Sequence, residues 1–283
     1  MQRRPLGRTG EKLSIAGFGG LVAKDEPPDA LRRIVASAVE RGVNYFDIGP
    51  SYGNAEERLG PALEPHRGQV FLAGKTLQRT AAGARAELEA SLRRLHTGHL
   101  DLWQHHAVCT LAEAQQILAP GGALEAFVKA REQGLVRFLG VTAHSEEAAL
   151  ALIHAFAYDT ILFPINWAAW LRHGFGRRVV EQAQAKGMGI LALKALARRA
   201  AAKGEDKPWK KCWYVPVESQ EEAALAFRFT LSLPVTSAVS PSHAELLQWT
   251  LDAADAFTPL TPGEEALLRQ RSQTLCPVFP KPS

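Results

Sequence analysis

The chain has 283 residues, a formal net charge of +4, 46% hydrophobic and 22% charged residues. Those fractions exclude collagen-like, disordered and coiled-coil chains, and the longest apolar runs, such as Ala148 to Ile153, fall far short of the ~18 residues of a membrane span. Three cysteines, Cys109, Cys212 and Cys276, are odd in number and widely separated, which excludes a disulfide framework and points to a reducing cytoplasm.

In chain order, Arg3 and Arg4 lead into Pro5, Gly7, Arg8 and Gly10 rather than an apolar leader core, so no export signal is expected. Strand-like runs then occur at Ile15–Phe18, Tyr45–Ile48, Val70–Ala73, Leu100–Trp103, Val136–Val141, Thr160–Ile165, Gly189–Leu193 and Val235–Val239. Helical spacing fills the intervals at Asp29–Arg41, Ala55–Leu63, Thr80–Leu95, Leu124–Gln133, Ser145–Phe156, Phe175–Lys186, Gln220–Leu231 and His243–Phe257. Ser145 and Ser219 stand as N-caps before paired glutamates, and Gly42, Gly134 and Gly187 stand where helices should stop.

Strand alternating with helix at this density predicts βαβ units around a parallel sheet. Eight of each predicts an α/β chain of the (β/α)8 TIM-barrel class, one domain over residues 1–283. The competing doubly wound sheet would carry Gly-x-Gly-x-x-Gly after its first strand, which Gly17-Phe18-Gly19-Gly20-Leu21-Val22-Ala23 does not match.

Charge is unevenly spread. Lys194, Arg198, Arg199, Lys203, Lys207, Lys210 and Lys211 stand against only Glu205 and Asp206. The plain reading is a solvated loop and helix face; the sharper one is an electrostatic funnel for an anionic cofactor or substrate. The rest of the chain is nearly neutral and carries no nucleic-acid-binding motif, so no nucleic-acid partner is expected.

A barrel of this class works at the C-terminal ends of its strands. The second strand ends in Tyr45-Phe46-Asp47 with Tyr52 and Gly53 shortly after, the third in Gly74-Lys75, the fourth in Gln104-His105-His106 and the fifth in Thr142-Ala143-His144. Asp, Tyr, Lys and His at one face make a proton-transfer set. A lysine cation favours phenolate and would lower a tyrosine's pKa from near 10, and an aspartate would hold the lysine charged. Adjacent histidines on a strand face opposite ways, so only one of His105 and His106 enters the site. With no His-x-His pair, no catalytic metal is expected.

These segments resemble the aldo-keto reductase family, as a divergent bacterial-type member, over nearly the whole chain. The resemblance rests on Arg4-Pro5-Leu6-Gly7-Arg8-Thr9-Gly10 with Gly17-Phe18-Gly19-Gly20, and on Tyr45-Phe46-Asp47 with Tyr52-Gly53 and Glu56 through Gly60. Val70-Phe71-Leu72-Ala73-Gly74-Lys75 and Asp101-Leu102-Trp103-Gln104-His105-His106 complete it. It implies NAD(P)H-dependent reduction of a small aldehyde or ketone, with Tyr52 as general acid, Lys75 and Asp47 tuning it, and His106 orienting the carbonyl.

The resemblance also implies a nicotinamide dinucleotide, NADPH ahead of NADH, held by Gly20, Thr142, Asn166, Lys194, Ser240, Ser242 and Gln248. Here the sequence departs from the family. Thr142-Ala143 replaces the usual Ser-Asn, Leu162 replaces a glutamine for which Asn166 could substitute, and Leu193 replaces the stacking aromatic. Ser240-Pro241-Ser242-His243-Ala244-Glu245 lacks the usual basic residues, although its serines and a helix amino terminus could take a phosphate, and Lys194 could reach the pyrophosphate. The alternatives are a nicotinamide-binding redox-sensing or regulatory barrel with little catalysis, and an isomerase or lyase using Lys75 as base or Schiff-base nucleophile.

Trp167, Trp170, Trp209, Trp213 and Tyr214 follow the sixth and seventh strands and could line an apolar pocket. The basic run in the same region leads to an expected preference for anionic carbonyl substrates, carried by Lys207, Lys210 and Lys211. His144, just past a strand end, reads equally as a site residue or a packing histidine.

Overall fold

Two periodicities organise the chain: apolar alternation every second residue, and apolar recurrence every third or fourth. The computed structural model describes residues 1–279. A short antiparallel hairpin opens it, β1 (Arg3–Pro5) paired with β2 (Lys12–Ser14). Then come β3 (Ala16–Gly19), α1 (Pro28–Glu40), β4 (Tyr45–Asp47), α2 (Ala55–Leu63), β5 (Phe71–Thr76), α3 (Ala81–Arg94) and β6 (Leu100–Val108). Next are α4 (Leu111–Leu118), α5 (Ala123–Glu132), β7 (Val136–Ala143), α6 (Glu146–Ala155), β8 (Thr160–Pro164), α7 (Trp167–His173), α8 (Arg177–Ala185) and β9 (Gly189–Leu193). The chain continues through β10 (Ala197–Arg199), β11 (Val215–Pro216), α9 (Gln220–Leu231), β12 (Ser237–Val239), α10 (Ala244–Asp255) and α11 (Pro262–Ser272).

Strands β3 to β9 and β12 pair in parallel and close a barrel in the order β12-β3-β4-β5-β6-β7-β8-β9. The expected (β/α)8 barrel is therefore the fold. All eight expected helices are present with ends displaced by at most two residues, as fraying ends allow. The Ser145 and Ser219 hydroxyls accept from the Ala148 and Glu222 amides as N-caps, and Gly42, Gly134 and Gly187 adopt the left-handed backbone that ends a helix.

Five elements escaped the sequence reading: the opening hairpin, α4, α7, the β10–β11 ribbon and α11. They are short or weakly patterned, and tertiary contacts hold them. Leu6 and Leu13 of the hairpin belong to the apolar cluster inside the barrel, with Tyr45, Phe71, Leu102, Leu162 and Leu191. They plug its amino-terminal end. Gly7 has φ +52° and passes so close to the Gly187–Gly189 backbone that a side chain there would collide with it. The larger cluster fills the layer between strands and helices. Among the described residues no helix is long and apolar enough to cross a membrane.

Candidate active site

The inward row of several strands starts apolar and turns polar at the carboxyl end. On β4 it runs from Tyr45 to Asp47; on β5 from Phe71 and Ala73 to Lys75; on β6 from Leu102 through Gln104 to His106. Register aligns these ends, with Asp47 opposite Ala73 and Lys75 opposite Gln104. The β8 and β9 rows stay apolar, Leu162 and Leu193 facing the same space. A dry floor therefore carries a polar lip on one side.

The centre of the lip is a buried ion pair between the Lys75 ammonium and Asp47 Oδ1, both nearly inaccessible to solvent. Lys75 Nζ also donates to the Ile48 carbonyl at 3.1 Å. Asp47 Oδ2 accepts from the Tyr45 hydroxyl at 3.1 Å and from Gln104 Nε2 at 3.0 Å, so the carboxylate is saturated. Tyr45 and Gln104 went unrecognised in the sequence as members of this network. Two-residue alternation from Asp47 and from His106 was the available signal, since both lie on the inward face.

Tyr52 stands in the loop after β4, its ring centroid 5.1 Å from Lys75 Nζ and edge-on to His106 at 5.6 Å. His106 comes from β6, where Arg79 donates to its backbone carbonyl at 2.8 Å and the register shifts between His105 and Val108. The Ser51 hydroxyl lies 3.4 Å from His106 Nδ1. His105 points the other way, fully buried and stacked on Phe127 at 3.8 Å, as strand alternation requires. Asp47, Tyr52, Lys75 and His106 thus converge in one cavity of about 340 Å³.

Burial raises the Tyr52 pKa and outweighs the opposing Lys75 cation, while the Asp47 anion adds to the rise. The expected lowering is therefore corrected: Lys75 does favour phenolate, but burying a phenolate costs more. Burial also opposes the charge on Lys75, yet Asp47 and Tyr52 together hold its pKa above the ordinary value, so it stays a cation. That argues against Lys75 as a base or Schiff-base nucleophile. Burial holds the His106 pKa well below its usual value, with Lys75, His144 and Lys194 adding to the effect, so the imidazole is neutral.

The cavity runs from this cluster to Gly19, Gly20, Thr142, Ser240 and Ser242. Ser240 Oγ accepts from the Gly19 amide at 3.0 Å, and a side chain at Gly19 would strike the Ser240 carbonyl. The N-cap position of α10, His243, supplies no side-chain cap, so the first amides of that helix are left available beside Ser242. Thr142 Oγ1 lies 3.4 Å from Gln104 Oε1.

Two assigned cofactor residues stand elsewhere. Asn166 is a buried N-cap of α7, its Oδ1 accepting from the Ala169 amide at 3.0 Å, and it does not line the cavity. Gln248 lies on the exposed face of α10 and donates to Asp252 at 2.7 Å. Lys194, expected towards a pyrophosphate, turns instead to His144, its Nζ 3.3 Å from Nε2.

The basic segment is partly paired within the fold. Lys210 pairs with Asp206, Lys207 donates to the Cys212 carbonyl at 2.6 Å, and Lys211 pairs with Glu26 at 3.0 Å. Two of the three ammoniums thus meet carboxylates, and of the three only Lys211 lines the cavity. Of the five aromatics, only Trp213 and Tyr214 line the cavity. Trp209 donates to Glu245 at 3.1 Å, Trp167 is buried outside the cavity, and Trp170 packs under Arg177.

A model of the Aldo/keto reductase family matches residues 16–261. An uncharacterised oxidoreductase of Bacillus subtilis, YqkF, is 28% identical over 156 residues, which is 50% of this chain and 49% of that protein. L-galactose dehydrogenase of Arabidopsis thaliana is 30% identical over 161 residues, 50% of this chain and 48% of that protein. The matching segment spans about half the length of these relatives. Among solved structures, the holo form of aldo-keto reductase AKR11C1 from Bacillus halodurans superposes with a TM-score of 0.75 at 23% identity, covering 98% of this chain and 96% of that one. A thermostable aldo-keto reductase, Tm1743, superposes with a TM-score of 0.69 at 20% identity, covering 96% of this chain and 100% of that one. These structural likenesses show the barrel; with its matched segment running from the first barrel strand to past the last, the chain belongs to the aldo/keto reductase family.

Proposed function

We propose that the protein reduces a small aldehyde or ketone to an alcohol with NADPH, NADH being the alternative, and that Tyr52 is the general acid. The carrying observation is the Tyr52 hydroxyl beside the buried Lys75–Asp47 pair, across from a neutral His106, in a cavity that continues to the uncapped start of α10. Those residues fit a dinucleotide: the cavity wall at Gly19 and Gly20 adjoins Ser240 and Ser242, and these serines with the free amides at the start of α10 suit a phosphate. When bound, the nicotinamide supplies the hydride.

The chain's own residues handle the proton. A Ser51 hydroxyl donating to Nδ1 of His106 leaves Nε2–H to donate to the substrate carbonyl oxygen. Tyr52 then gives its proton to that oxygen as charge develops. Lys75, held by Asp47, stabilises the phenolate left behind. The apolar Leu162 and Leu193 keep water from the reacting carbon.

A pH profile follows. Reduction needs Tyr52 protonated, and its pKa is raised, so kcat for reduction is expected to stay flat from about pH 6 to about pH 9. Alcohol oxidation needs the phenolate and should climb across the same range. A kcat for reduction of an uncharged aldehyde that falls between pH 7 and pH 8 would remove Tyr52 from the role of acid.

The decisive test is titration with NADPH and with NADH, followed by quenching of tryptophan fluorescence. Trp213 on the cavity wall is placed to report it. Saturable quenching is expected, stronger for NADPH. The apolar contacts at Leu162 and Leu193 favour the second reading, a weakly binding sensory barrel, which would show quenching without turnover of any aldehyde. Folded protein that binds neither nucleotide overturns both.

A further inference from the structure

We propose that Lys194 and His144 form a carboxylate subsite beside the reacting carbonyl, so that the substrates are short carbonyl compounds carrying a carboxylate. This rests on the reductase reading above and adds the substrate class.

The argument begins with charge accounting around the cavity. Lys75 is paired with Asp47, Lys211 with Glu26, and Arg79 with Glu113. Lys194 lines the same cavity, and among the described residues no carboxylate lies within ion-pair distance of it. Its Nζ contacts His144 Nε2 and sits 5.3 Å from the ring centroids of both Trp213 and Phe279. The titratable groups facing it are His144, His106, Cys109 and Lys75. None of them is an anion at neutral pH: both imidazoles are held neutral, and the Cys109 thiol is pushed up by burial. Burial brings the Lys194 ammonium down to about 7, so a bound anion would restore what solvent no longer supplies.

Position selects the ligand. Lys194 follows β9 with φ +62°, a left-handed backbone that is strained for a lysine and must be held by its surroundings. The side chain reaches past β8 to the end of β7, where His144 stands. Strand β9 itself pairs with β12, which leads into the phosphate-suited Ser240–Ser242 turn, but the contact to His144 carries the ammonium away from that side towards β7, the neighbour of β6 and its His106. The unpaired cation therefore faces the reacting end of the cavity. Trp213, 56% exposed, caps it from solvent and leaves an entrance for a small molecule. One carboxylate oxygen taking a hydrogen bond from Lys194 leaves the carbonyl end free to reach His106 and Tyr52.

The test compares 4-oxobutanoate with its methyl ester under NADPH. The acid should be preferred at least about tenfold in kcat/KM, carried mainly by KM, the worth of one charge-assisted hydrogen bond. In Lys194→Met the acid-to-ester ratio should collapse towards one; in Lys210→Met, whose ammonium is paired with Asp206, it should persist. Calorimetry with succinate gives a readout without turnover: binding is expected in the wild type and lost in Lys194→Met. A wild-type ratio near one, or a ratio that survives Lys194→Met, overturns the proposal. So does a ratio that survives while NADPH affinity falls, which would give Lys194 to the cofactor's phosphates. Lys194-dependent succinate binding without turnover of either aldehyde keeps the subsite and removes the reductase reading. Absence of both removes the subsite as well.

Discussion

Replacing Tyr52 with phenylalanine is expected to lower aldehyde reduction by about 10²–10⁴-fold, the usual worth of a positioned general acid. The ring stays, and with it the edge-on contact to His106 and the neighbourhood of Lys75; only the transferable proton is lost. NADPH quenching should therefore be retained within a few-fold while kcat falls. That pattern separates a chemical loss from a binding loss. Equal turnover by wild type and Tyr52→Phe would sink the catalytic assignment and favour a nucleotide-binding barrel without chemistry.

Lys75→Met tests the same cluster from the side of stability. It leaves Asp47, which is 4% exposed, as a buried carboxylate without its cation. Tyr45 and Gln104 still donate to it, but two neutral hydrogen bonds do not neutralise a charge. The expected cost is about 3–5 kcal/mol in chemical denaturation, together with loss of reduction. Most of that stability should return in the Asp47→Asn/Lys75→Met double variant, which removes the charge and keeps an acceptor, while activity stays lost. Wild-type-like stability in Lys75→Met would mean that water reaches Asp47 and that the ion pair is not the dry tuning device described above.

Much of the barrel was legible because its periodicities are local. Eight apolar runs and eight helical stripes lie where expected, and Ser145, Ser219, Gly42, Gly134 and Gly187 mark their ends through chemistry confined to a few residues. The candidate proton-transfer set was legible for a related reason. Asp47, Lys75 and His106 are strand-end residues, and parity along each strand decides which way a side chain points. The same parity required His105 and His106 to face opposite ways, and the resemblance chose His106 as the inward one.

What the sequence could not decide depends on sums over distant groups. The sign of the Tyr52 shift is a contest between burial and Lys75, and burial is a property of the closed barrel. Asn166 and Gln248 have the right chemistry for a cofactor, but helix geometry turned one into a cap and left the other on the surface. The basic segment showed seven cations, yet only the fold shows which have found acids. Of the two that line the cavity, Lys211 has Glu26, while Lys194 meets no carboxylate among the described residues, because its neighbours come from β7, the β9–α9 connection and the carboxyl-terminal segment, which only tertiary structure brings together. Local pattern determined the barrel and the polar residues at its carboxyl-terminal strand ends. Long-range packing decided their protonation, and which cation in the cavity wall is left without a carboxylate among the described residues.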